Sequence, residues 1–269
     1  MIIITENPYR IAGIPANASE REILKQKSKI QAYTNVGRAI TSDYDFSFLE
    51  PVSRNNGNIE KAFSEIEQNQ DKVNHALFWF LNCNNFDETA INYLKTNNKE
   101  KAIEIWEKIT AGKEINSKNY SAFNNIGTLY FLGNSNQDIQ NGIEAKIKLL
   151  ESDYYRDFAH AVANETFTID SKKQIGIFIE ELLKQFKGKY STIEIMKLFG
   201  KSNRSTLKYL SKKFTEEPIH KVETQIEKAK TNRTENKADA FRIGKNLYQS
   251  TKSELDLLKI FLGSINFFL

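Results

Sequence analysis

Four prolines and twelve glycines are all that interrupt 269 residues. Proline removes a helix hydrogen bond and glycine adds backbone entropy, so both are costly inside helices. A chain with so few of them is free to run in long helices. Its apolar residues recur at three- and four-residue spacing, and nowhere do they alternate over a useful length as a half-buried strand requires. The expected fold class is all-α. Hydrophobic residues make up 40% and charged residues 27%, a globular balance that argues against disorder along the whole length.

The spacing divides the chain into a series of helices. Residues 7–14 lead into Pro15-Ala16-Asn17-Ala18-Ser19, where Asn17 or Ser19 can cap a helix with Glu20 and Glu22 in its first turn. That helix places Ile23, Lys27, Ile30 and Thr34 on one face, with Arg21, Lys25, Lys29 and Arg38 as a basic flank. Residues 41–58 read as a loop containing Pro51 and Gly57, with Phe46, Phe48 and Leu49 turned back onto the core. Asn58 is placed to cap a second long helix running to residue 82, whose aromatic end His75-Ala76-Leu77-Phe78-Trp79-Phe80 should bury against the next helix pair. Helix pairs are expected at 86–96 with 99–110, and at 120–132 with 139–151. Further helices are expected at 153–166 and 171–187, and two short ones in 191–214 broken near Gly200. Pro218 should open a helix to about residue 230, since proline suits a first turn. A polar link over 231–237 then precedes elements at 238–250 and 252–269. The last carries a stripe of Leu255, Leu258, Leu262, Ile265 and Leu269, with Phe261, Phe267 and Phe268 beside it. Packing on residues 219–250 is its first reading and an exposed partner or dimer surface its second. Asp256, Lys259 and Asn266 speak against a membrane surface.

Several function classes are disfavoured. The one cysteine, Cys83, allows no disulfide framework, and His75, His160 and His220 lie too far apart for a zinc motif. No disulfide fits a reducing compartment, so a cytoplasmic location is expected. Met1-Ile2-Ile3-Ile4-Thr5-Glu6 lacks the basic and apolar regions of a signal peptide. No run approaches the length of a membrane span. The net charge of +4 is too small to imply nucleic acid. Gly127-Thr128 and Gly188-Lys189 lack a phosphate-loop pattern, so no cofactor is expected. Asp153, Asp157 and His160 share a helical face, but as a surface ion pair rather than a metal or acid–base site. No elbow motif surrounds any serine, and nothing marks Cys83 as a nucleophile. A non-enzymatic protein is expected.

Two resemblances sharpen this. Asn7-Pro8-Tyr9, Ile11, Gly13-Ile14 and Asn17-Ala18-Ser19 come first. Glu22-Ile23 then opens a basic helix, and a loop and a returning helix end at His75–Phe80. In that order and spacing, residues 7–81 resemble a J-domain, closest to a bacterial group of J-like proteins that carry helical repeats behind it. The resemblance implies a helical hairpin that docks the seventy-kilodalton heat-shock chaperone. The His-Pro-Asp tripeptide that helps trigger ATP hydrolysis in active J-domains is absent, and the loop's one proline is Pro51 in Leu49-Glu50-Pro51-Val52. The fold carries over, and the stimulating residues do not. What the resemblance still implies is a basic docking face at Arg21, Lys25 and Lys29, weighed against ordinary solvated charge. It also implies further helix beyond residue 269.

Residues 83–110 resemble a tetratricopeptide repeat, with Ala90 and Tyr93 in the first helix and Ala102 and Trp106 in the second. Gly127 followed by Tyr130 resembles the start of a degenerate second unit, in which Ile139 stands where alanine is expected. Stacked helix pairs make grooves that bind peptides or proteins, or serve only as a spacer. Residues 191–210 offer a competing helix-turn-helix, with Arg204 and Lys208 placed for DNA. Lys201 and Thr206, however, stand where that motif wants apolar packing. The expectation is therefore a J-like domain over 1–82, repeat-like helices over 83–150 and further hairpins over 151–269. Its role would be a protein-binding, chaperone-associated adaptor. The alternatives are a scaffold unrelated to chaperones and, less favoured, a DNA-binding regulator.

Overall fold

The computed structural model describes residues 1–35, 37–38, 40–235 and 237–265. It is all-α, with no strand among the described residues. Two compact units are present, residues 1–187 and 188–269. The boundaries expected near residues 82 and 150 both fall inside the first.

The first unit opens with two short helices that periodicity could not reveal, α1 (Ile2–Thr5) and α2 (Pro8–Ala12). Asn7 caps α2 by accepting the Tyr9 N–H at 3.0 Å, and its amide donates to the His75 carbonyl at 2.9 Å. Gly13 ends α2 in the left-handed region, where a Cβ would stand 2.6 Å from Ser42 Cβ. Helix α3 (Glu20–Asn35) begins at Ser19, which with Glu22 forms a reciprocal cap. Asn17 instead pairs through both amide atoms with the backbone of Asn82.

The long helix expected over 58–82 is two helices, α4 (Asn56–Ser64) and α5 (Asn69–Ala76). Asn55 is the cap of α4, and Asn58 is its partner in the first turn. Two tightened bonds, Ile66 N–H to Phe63 O and Glu67 N–H to Ser64 O, close α4. Glu67–Lys72 has no apolar side chain to hold a continuous helix to the core. Beyond α5, Leu77, Phe78, Trp79, Phe80 and Leu81 are all buried. Helix α5 ends at Ala76, and these five side chains are covered by the first unit outside regular helix. Phe80 stacks on Trp106 of the next helix pair with ring centroids 6.0 Å apart.

The helix pairs come next: α6 (Asn85–Lys95) with α7 (Lys99–Thr110), then α8 (Tyr120–Tyr130) with α9 (Asn136–Glu151). Helix α10 (Tyr155–Val162) and α11 (Ser171–Phe186) close the unit, with Phe178 stacked on Phe78 at 5.5 Å. Asp153 precedes α10, so the three-residue face of Asp153, Asp157 and His160 is not built on one helix.

The second unit holds α12 (Thr192–Leu198), α13 (Arg204–Glu235) and α14 (Ala240–Ile265). Three expectations fail here. Pro218 lies inside α13 rather than opening a helix. Such a proline costs about 3 kcal/mol, but Leu210, Phe214, Val222 and Ile226 keep one partly buried line on both sides of it. The polar residues 231–235 continue α13, and the connection is a short turn, Lys237–Asp239. The break expected near 251 is absent: Thr251 is buried and its hydroxyl donates to Leu247 O at 2.8 Å. Helices α13 and α14 thus form a hairpin; of the C-terminal stripe, Leu258 is half-buried and Leu255 is exposed. Asn266, Phe267, Phe268 and Leu269 lie outside the described residues.

The loop between α3 and α4 is held by Arg54. Its guanidinium pairs bidentately with Asp45, at 2.6 and 2.7 Å, and also donates to the carbonyls of Arg10, Ile11 and Ile40. Arg10 in turn donates to the carbonyls of Thr5 and Glu50. A lysine cannot reproduce the planar fork. Arg54→Lys should therefore cost about 2–3 kcal/mol in denaturant unfolding, and an unchanged midpoint would show that the loop does not need it.

Candidate functional site

The predicted docking residues lie on α3. Arg21, Lys25 and Lys29 are all exposed and form no ion pair with any described residue. Lys29 extends over the Tyr33 ring at 5.9 Å. Little of α3 is buried: Ile30 is covered, and Gln26 donates to the Ala12 carbonyl at 2.9 Å. Leu24 is 64% exposed at the edge of a groove of about 270 Å³, lined by Ile23, Leu24, Phe63 and Ile66 together with Glu20, Lys27, Glu67 and Lys72. Basic charge and apolar surface therefore lie together on this helix.

The repeat residues divide. Ala90, Ala102 and Trp106 are buried where α6 meets α7, which fills the helix pair rather than lining a groove. Tyr93 is exposed on α6, and Tyr130 donates its hydroxyl to Glu107 at 2.7 Å. Gly127 lies where α8 meets α9, and a Cβ there would stand 3.0 Å from Lys146 Cε. The small residue sought at Ile139 is instead Gly142, where a Cβ would fall 2.6 Å from the Phe131 ring.

Sequence reasoning missed a buried polar core around α8. Every residue from Ser121 to Leu129 is buried. Asn124 donates to the carbonyls of Ala76 and Trp79, at 3.2 and 2.8 Å. Asn125 accepts the Leu81 N–H and donates to the Leu81 carbonyl, each at 2.8 Å. Asp87 receives four donors: Trp106 Nε1 (3.1 Å), Asn125 Nδ2 (2.9 Å), Ser121 Oγ (2.6 Å) and the Cys83 N–H (3.2 Å). Burial nevertheless raises its carboxyl above the usual range, and these hydrogen bonds only partly offset that. Lys146, fully buried on α9, donates to Asn124 O, Asn124 Oδ1 and Thr128 Oγ1 at 2.6, 2.6 and 2.7 Å. Burial holds its ammonium well below the ordinary lysine range. One signal was available: Lys146 sits three residues after Ile143 and three before Leu149, on the apolar face of its helix.

Cys83 borders this core. Burial, with Asp87 adding to it, pushes its thiol up to about 12, so it is protonated at neutral pH. His75 lines a cleft of about 420 Å³ with Glu6, Glu65 and Glu181, and burial lowers its pKa. No group of three His, Cys, Asp or Glu residues able to hold a metal ion occurs among the described residues. No described helix is long and apolar enough to cross a membrane. In the second unit, Arg204 and Lys208 are exposed in the first turns of α13. Thr206 is buried between them and packs despite its polarity, while Lys201 is exposed.

Two substitutions probe the core. Asp87→Asn keeps the shape but turns an amide N–H₂ toward donors, so about 2–4 kcal/mol of stability should be lost. Retained stability would mean that the four contacts are not made. Lys146→Met probes charge. The unfolded chain protonates Lys146 below about 10.5, while the folded state resists protonation. Wild-type stability should therefore rise as pH climbs toward about 10.5, by up to about 1.4 kcal/mol per unit from this residue. Lys146→Met should lack that component in urea titrations. Parallel slopes would show that the buried amine titrates normally.

Compared with known proteins, this chain matches no family model, no curated protein and no solved structure.

Proposed function

We propose that this protein is a non-catalytic interaction module, a J-like adaptor that recruits or localises a seventy-kilodalton heat-shock chaperone without stimulating its ATPase. The observation that carries this reading is α3. A helix whose Arg21, Lys25 and Lys29 are exposed, form no ion pair with a described residue and stand beside an open groove of mixed apolar and charged lining suits an acidic partner surface with apolar content. The absence of His-Pro-Asp agrees with recruitment rather than stimulation. The segment between α3 and α4 is instead fastened by Arg54, Asp45 and Arg10.

A scaffold unrelated to chaperones uses the same surfaces and differs only in its partner. A DNA-binding role has less support. Arg204 and Lys208 sit at the start of a 32-residue helix that serves as one arm of a hairpin, not on a short recognition helix.

The test is binding to the seventy-kilodalton chaperone of the same organism, with ATP and with ADP. Nucleotide-dependent binding is expected, together with a loss of about tenfold or more when Lys25→Glu and Lys29→Glu are combined. The loss should shrink as salt rises, and the chaperone's ATPase rate should stay unchanged. No binding in either nucleotide state would leave the scaffold reading in its place.

A further inference from the structure

The α13–α14 hairpin leaves an organised apolar line uncovered. Its covered side is marked by burial along α14, where Ile243, Leu247, Glu254 and Leu258 are half-buried. Thr251 is the buried residue of that seam. Phe241, Tyr248 and Leu255 do not belong to it. They are 87%, 60% and 41% exposed, and they succeed one another at intervals of seven residues.

Seven residues of an α-helix return to within about 20° of the same direction. Phe241, Tyr248 and Leu255 therefore form a nearly straight line about 21 Å long, at about 1.5 Å per residue. A second row runs beside it. Lys245, Lys252 and Lys259 repeat at the same interval, each four residues after a member of the apolar line, on the side turned away from the seam. All three lysines are exposed, and none forms an ion pair with a described residue.

We infer that this face of α14 is a docking line for an amphipathic helix of another protein whose apolar seam is edged by glutamate or aspartate. The inference concerns the second unit and stands apart from the α3 reading. Three features select this occupant. The line is narrow, bordered by Gly244, the buried Thr251 and the half-buried Leu258 on the seam side and by the lysines on the other. That is the width of a coiled-coil seam, whereas a helix lying on a membrane needs a broad apolar sector. The row of unpaired lysines occupies the flank from which coiled coils form interhelical ion pairs, so it calls for acids opposite. A second copy fits poorly. Antiparallel pairing would set lysine against lysine, and parallel pairing would offer them Ala240, Leu247 and Glu254, of which only the last is acidic.

The test uses the full chain and two synthetic helices of about four heptads with leucine at the seam positions. One carries glutamate at both flanking positions and the other lysine, and in each the like charges prevent self-pairing. By fluorescence anisotropy at about 50 mM salt, the glutamate peptide should bind at least about tenfold more tightly than the lysine peptide, with the difference narrowing at about 300 mM. Phe241→Ser with Tyr248→Ser should abolish binding while far-UV helicity is retained. Combining Lys245→Glu, Lys252→Glu and Lys259→Glu should invert the preference. Because the charge inversion leaves the apolar line intact, it decides the matter even if the serine variant loses helicity. Equal binding of both peptides, or binding of neither, overturns the inference. Two further outcomes also overturn it. One is binding to phosphatidylserine vesicles without peptide binding, which makes the line a membrane contact. The other is concentration-dependent dimerisation lost in the serine variant, which makes it a self-interface. None of these outcomes bears on chaperone binding through α3.

Discussion

The first unit depends on α8 being buried on all sides while carrying Ser121, Asn124, Asn125 and Thr128. A buried polar group without a partner costs more than the hydrogen bond it would have made. These four side chains therefore dictate where their neighbours must be. Asn124 and Asn125 bind the backbone of residues 76–81, which has no helix of its own to satisfy it. That clamp lets five consecutive apolar residues pass through the interior outside regular structure. Asp87 and Lys146 complete the arrangement from opposite sides, one through Asn125 and the other through Asn124. They do not touch each other as a salt bridge. Two adjacent asparagines stand between them, and each ionisable group is met by dipoles instead.

What could be read from the sequence was local. Ser135 with Asp138 and Ser191 with Glu194 cap helices as their three-residue spacing requires. The alternation of helix and polar turn from 84 to 151 maps closely onto α6 to α9. The misses share a cause, since each depends on a distant partner. The path of residues 77–81 outside helix is set by the groups that cover them, Asn124 and Asn125 among them. The burial of α8 on every side is set by acceptors some forty residues away in sequence. Pro218 is tolerated because the line of Leu210, Phe214, Val222 and Ile226 continues past it, although the local rule would place a helix start there.

The candidate surfaces were legible to a similar degree. Arg21, Lys25 and Lys29 are exposed, as helical spacing from Ile23 and Ile30 requires. Of the repeat positions, the small residues and Trp106 went inside, because close approach of two helices needs them there. Tyr93 is the most exposed of these, at 37%. The uncovered line on α14 was hidden by the choice of register. The stripe through Leu255 and Leu258 combines two faces. Leu258 lies on the side of the buried Thr251, whereas Leu255 continues from Phe241 and Tyr248. Only knowledge of which side α13 covers separates them.

The chain's two tryptophans are both in the first unit and both fully buried. Trp79 donates to the Ile14 carbonyl and Trp106 to Asp87, so one reports on the N-terminal helices and the other on the charge at the centre of the polar core. Residues 188–269 contain no tryptophan. Intrinsic tryptophan emission is thus a window on one unit only. The hairpin, with its uncovered line, carries no indole of its own and must be tracked by helicity or by its own tyrosines.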